Sequence, residues 1–103
     1  MFNAETEETR IIQRKHLNEG LMHYDLPLST SDGLMDWVLD HREPGGFLES
    51  VLRNDLSSAI GRADPSNSRK LIDIVRFLYN WVPSACWGSD ERYENWKYRP
   101  IKE

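Results

Sequence analysis

The sequence predicts an all-α fold, a compact bundle of four to five short helices. Three observations lead there. Apolar residues recur at spacings of three and four, as in Leu34, Trp37, Val38 and His41. No stretch alternates with period two, and Asp32-Gly33 lies inside helical patterning rather than between two β-rich segments. Capping and breaking residues divide the periodic stretches into helix-sized lengths.

The first segment, residues 5–19, has helix-forming composition but a thin apolar stripe of Ile11, Ile12 and Leu17, with Gly20 suited to the turn after a helix. A helix this short is marginal alone, so its order depends on docking. Pro27 disfavours a helical Leu26 and makes 23–27 a linker. The chain therefore divides into an N-terminal helical arm, 1–25, and a helical domain, 26–103. In the second helix Ser29-Thr30-Ser31 supplies cap hydroxyls and Asp32 closes a capping box. Leu34, Trp37, Val38 and His41 share its inner face, and Pro44-Gly45-Gly46 ends it.

A third helix is predicted over 47–61. Leu48, Val51, Leu52, Leu56, Ala59, Ile60 and Ala63 form its stripe, and Glu49, Arg53, Ser57 and Ser58 its polar side. Asn54 and Asp55 are poor helix formers in its middle; with Asn80 they read as a polar network fixing the register of neighbouring helices, the favoured role, or as part of a binding face. Asp64-Pro65 opens the fourth helix, since Asp caps well and Pro suits the first helical position. Its stripe of Leu71, Ile74, Val75, Leu78, Tyr79 and Val82, widened by Ile72, Phe77 and Trp81, places it in the middle of the molecule. Pro83 stops it. Trp87 anchors the turn that follows, and Ser89 with Asp90 and Glu91 opens a short final helix carrying Tyr93 and Trp96.

Charge and chemistry narrow the function classes. The 103 residues carry a net −4, unevenly spread: residues 1–50 hold ten acids and four bases, and 51–103 hold nine bases and seven acids. A net acid is a poor general nucleic-acid binder, since that affinity comes from neutralising phosphates. Residues 1–8 are acidic and lack the apolar region of a secretion signal, and no apolar run is long enough for a bilayer. The single cysteine, Cys86, excludes an internal disulfide and fits a reducing cytoplasm. His16, His23 and His41 are the only imidazoles, and neither His23 with Asp25 nor Asp36 and Asp40 with His41 forms a metal-ligand pattern. Cys86 between Ala85 and Trp87 reads as inert filler. No P-loop follows Pro44-Gly45-Gly46. The sequence thus predicts no catalytic residue, no metal and no cofactor.

Two binding surfaces remain. Trp87, Arg92, Tyr93, Trp96 and Tyr98 crowd the C-terminal stretch with residue types that dominate protein interfaces, and they read either as a lid on the core or as a partner-binding patch. Arg62, Arg69, Lys70 and Arg76 follow a tight turn between two helices, the outline of a helix-turn-helix, so a small nucleic-acid-binding regulator is the alternative. Self-association is left open.

Residues 44–96 resemble a group of small hypothetical proteins of tailed phages and prophages. The similarity is carried by Pro44-Gly45-Gly46-Phe47-Leu48, Asn54-Asp55-Leu56, Arg62-Ala63-Asp64, Tyr79-Asn80, Pro83, Cys86-Trp87-Gly88-Ser89 and Trp96. Residues 1–25 depart from that pattern. The resemblance implies a phage-encoded protein working in the host bacterial cytoplasm, and it supplies no catalytic residue. With the acidic surface, it leads to an expectation of a non-catalytic accessory protein that binds a host or phage protein and modulates a host or defence factor.

Overall fold

The structure, a computed structural model, describes residues 7–98, and all regular structure in that range is helical. The described helices are α1 (Glu7–Leu21), α2 (Leu28–Asp40), α3 (Gly46–Leu52), α4 (Leu56–Arg62), α5 (Pro65–Trp81) and α6 (Asp90–Lys97). A 3-10 turn at Ser84–Cys86 precedes the last. The radius of gyration, 13.4 Å, is close to the roughly 13 Å of a folded 100-residue chain. The expected bundle forms, with six helices instead of four to five.

Asn54 and Asp55 account for the difference. The helix expected over 47–61 stops at Leu52 and restarts at Leu56. Asn54 adopts a φ of 64°, the left-handed region that asparagine tolerates better than most residues. Asp55 then caps α4, accepting from the Ser58 backbone N–H at 3.3 Å. Hydrogen bonds from the Ser58 hydroxyl and backbone hold the Asp55 carboxyl below its ordinary value. The register network expected of these residues with Asn80 is absent: Asn80 donates to the Arg76 carbonyl of its own helix at 3.0 Å.

Helix starts follow the sequence where a side chain is free to cap. Asp64 accepts from the Asn67 N–H at 2.8 Å with Pro65 behind it, and Ser89 accepts from the Arg92 N–H at 3.1 Å. The start of α2 differs. It begins at Leu28 after Pro27 with no side-chain cap. The Thr30 hydroxyl instead donates to Asn67 Oδ1 at 2.6 Å, a buried bond that ties α2 to the first turn of α5.

Trp37 sits at the centre. Its Nε1–H donates to the Cys86 carbonyl at 2.9 Å, and its own carbonyl accepts from Trp96 Nε1–H at 2.9 Å. Its ring stacks on Tyr93, with centroids 4.4 Å apart. His41 ends α2 in the left-handed region, and its Nδ1–H donates to the Trp96 carbonyl at 2.9 Å. Large side chains from α2 and α6 are thus buried with their N–H groups satisfied, the condition on which indoles enter cores cheaply. Cys86 is fully buried beside them.

Burial pushes the Tyr93 phenol well above its ordinary value of 10.0, and the negative charges of Glu49 and Glu43 add to the effect. The folded chain therefore holds this proton to higher pH than the unfolded chain does. Its contribution is complete below about pH 10 and is lost as the pH rises further. In urea unfolding between about pH 9 and about pH 11, Tyr93→Phe should lose less stability than the wild type. Parallel losses would show that Tyr93 is not the group responsible.

The N-terminal arm shares this core. Leu17 is buried in the same cluster as Trp37 and Ile74, and Arg10 donates to the Leu39 carbonyl and to Asp40 Oδ1, each at 2.6 Å. Gly20 lies inside α1, not beyond its end. A Cβ there would meet Trp81 at 2.5 Å and Phe77 at 2.9 Å, so the backbone of α1 rests on the indole face. Gly20→Ala should lower stability by about 1–3 kcal/mol despite alanine's better helix propensity. A gain in melting temperature would show that α1 is not docked there.

Candidate functional site

The two predicted surfaces fare differently. Tyr93 and Trp96, expected as candidate contacts, are 0% and 4% exposed and belong to the core. That corrects the partner-binding patch at these two positions: Tyr93 and Trp96 close over the core as a lid. The physical reason is that each finds an interior partner, Tyr93 under the Arg53 guanidinium at 4.1 Å and Trp96 against His41 at 4.4 Å. Trp87 is half-buried and packed on the core. Arg92 and Tyr98 stay exposed, with Arg92 Nη1 3.5 Å from the Trp87 carbonyl and Tyr98 under the Lys97 ammonium at 5.0 Å.

The four cations of the nucleic-acid alternative lie on α4 and α5. Arg62 Nη1 donates to the Gly46 carbonyl and Ser50 Oγ, both at 3.3 Å. Lys70 lies 3.9 Å from Asp73. Arg69 and Arg76 are exposed and make no ion pair among the described residues.

Next to those two cations lies a feature the sequence pattern assigned to the core. On α5, Ile72 is 67%, Val75 37% and Tyr79 77% exposed, at spacings of three and four that put them on one outer face. On α4, Leu56 is 63% and Ile60 55% exposed, one turn apart. A shallow dimple of about 40 Å³, lined by Val51, Leu56, Ala59, Leu71 and Val75 with Asn54 and Asp55, joins the two helices. The break at Asn54 helps build it, because a continuous helix would not have restarted at Leu56 beside Val75. α5 is therefore not enclosed: Ile74, Phe77 and Leu78 face inward while a second apolar strip faces out. Only its width gave a signal in the sequence, for nine apolar positions on one helix exceed what a single buried face can take.

A different cleft, about 290 Å³, lies between α1 and the end of α5, lined by Gln13, His16, Leu17, Asn80, Trp81, Val82 and Pro83. His16 and His23 both lie against Trp81, at 4.9 and 5.3 Å between ring centroids, with His41 bound elsewhere to Trp96. Among the described residues no group of three or more His, Cys, Asp or Glu side chains is placed to hold a metal ion. No helix among them is long and apolar enough to cross a membrane.

No protein-family model matches the chain, and neither the curated proteins nor the solved structures give a significant match. Within the geometry, the outer strip of α4 and α5 is the most distinctive surface feature.

Proposed function

We propose that this chain is a non-catalytic accessory protein, phage-encoded and acting in the host cytoplasm, that binds another protein through the α4–α5 face and modulates a host or defence factor. The observation carrying the binding step is the set of exposed apolar residues Leu56 and Ile60 on α4 and Ile72, Val75 and Tyr79 on α5, two helices that meet at the dimple lined by Leu56 and Val75. Single exposed apolar residues are ordinary, whereas grouped ones on a small protein mark a surface meant to be covered. Phage origin and location rest on the resemblance of residues 44–96. The burial of Cys86 supports a non-catalytic reading of its thiol. The nucleic-acid alternative draws less support: Arg62 and Lys70 are engaged within the molecule, and the exposed Arg69 and Arg76 share their side of α5 with the carboxylate Asp73, which repels phosphate.

The test compares three forms of the chain as bait in a bacterial host lysate. A partner retained by the wild type and by Arg92→Ala/Tyr98→Ala, but lost with Ile72→Asp/Tyr79→Asp, is the expected result. Loss with the C-terminal pair instead would move the site to α6. Steeply salt-dependent DNA binding in a mobility shift would favour the regulator.

A further inference from the structure

The docking face has a charge pattern that specifies what it holds, and the inference below rests on the docking reading. Among the described residues Arg10 pairs with Asp40, Arg42 with Asp36, Arg53 with Glu49, Asp90 and Glu94, Lys70 with Asp73, and Lys97 with Glu43. Arg69 and Arg76, at the apolar strip, make no ion pair among them. Arg69 stands three residues before Ile72 and Arg76 four after it, so both flank the strip along one side of α5. Arg62, at the end of α4, donates to the Gly46 carbonyl and the Ser50 hydroxyl, and its charge acts on the Asp55 carboxylate. Two carboxylates lie nearby: Asp55, which caps α4, and Asp73, four residues after Arg69 and three before Arg76, at 3.9 Å from Lys70.

We infer that the α4–α5 face receives an acidic amphipathic helix of a partner protein, its apolar side on Leu56, Ile72, Val75 and Tyr79 and its carboxylates on Arg69 and Arg76. From Ile72 to Tyr79 the strip spans about 10 Å, two turns of such a helix, the usual geometry of helix-in-groove recognition. Free cations beside desolvated hydrocarbon make opposite charge on the partner the determinant of choice and like charge a penalty. A second copy docked face to face would set the same arginines against each other, and a phosphate backbone would find hydrocarbon between its contacts.

The probes are two synthetic helical peptides of about 18 residues with identical apolar positions, one flanked by glutamates and the other by lysines, titrated into the full ¹⁵N-labelled chain. The acidic peptide should shift the amides around Leu56, Ile72, Val75 and Tyr79, bind about tenfold or more tighter than the lysine peptide, and weaken as salt rises. Arg69→Glu/Arg76→Glu, both at exposed positions, should reverse the preference. Equal binding of the two peptides at this face, or a preference for the lysine peptide, overturns the acidic partner and leaves the docking face standing. No shift at this face with either peptide overturns both. Concentration-dependent self-association of the free chain that is lost in Ile72→Asp assigns the face to a second copy and likewise overturns the inference.

Discussion

Trp96→Ala is expected to lower the stability of the fold by about 3–5 kcal/mol, a fall of roughly 15–25 °C in melting temperature for a domain of this size. The substitution removes a buried indole, the hydrogen bond from its Nε1–H to the Trp37 carbonyl, and the face on which His41 lies. Domains of this size have only about 5–15 kcal/mol of stability in all, so the variant sits near the threshold of unfolding. Trp96→Phe keeps most of the hydrocarbon and loses the donor, and should cost about 1–3 kcal/mol. Tyr98, two residues further on, is exposed, and Tyr98→Ala should change stability by less than about 0.5 kcal/mol. Thermal unfolding by circular dichroism separates the three. A loss below about 1 kcal/mol for Trp96→Ala would mean that α6 is not part of the core.

The second large effect is expected at Arg53. Its guanidinium reaches Glu49 at 2.9 Å on its own helix, Asp90 at 3.2 Å and Glu94 at 2.6 Å on α6, and lies over the Tyr93 ring. One side chain thus clips α3 to α6. Hydrogen bonding to Glu94, the largest influence, raises its pKa above an already high ordinary value, so the clip stays charged wherever the protein is folded. Arg53→Met retains much of the stem, yet it leaves three carboxylates facing one another and should cost about 2 kcal/mol at low salt. Because the group is only partly buried, added salt should shrink that difference by relieving the repulsion. Removing Glu94 as well should cost less than the sum of the two single changes, since the interaction can be lost only once. Strict additivity in a Glu94→Gln cycle would show that the pair does not hold α6.

How far the sequence foretold these features depends on whether a local rule decided them. The starts of α5 and α6 were legible because Asp64-Pro65 and Ser89 act on their own next turn. The break at Asn54 was visible as an anomaly, two poor helix formers mid-stripe, but apolar spacing continues across it because Leu52 and Leu56 keep the i,i+4 step. Thr30 was legible as a cap, and its long-range bond to Asn67 won instead. Gly20 was read as a helix end; only the approach of Trp81 from another part of the chain reveals its use. For the site, spacing marks Ile72, Val75 and Tyr79 as one face of a helix but carries no information on whether anything covers that face. The same limit led Tyr93 and Trp96 to be weighed as surface, although Arg53 and His41 enclose them.

The most direct measurement is the urea unfolding of Ile72→Asp/Tyr79→Asp beside the wild type. If the strip lies outside the core, the double variant keeps the same denaturant slope and a midpoint within about 0.5 kcal/mol, since two charges placed on an exposed face disturb no buried contact. A loss of several kcal/mol with a changed slope would mean that these residues hold the fold together, and the docking face would not exist.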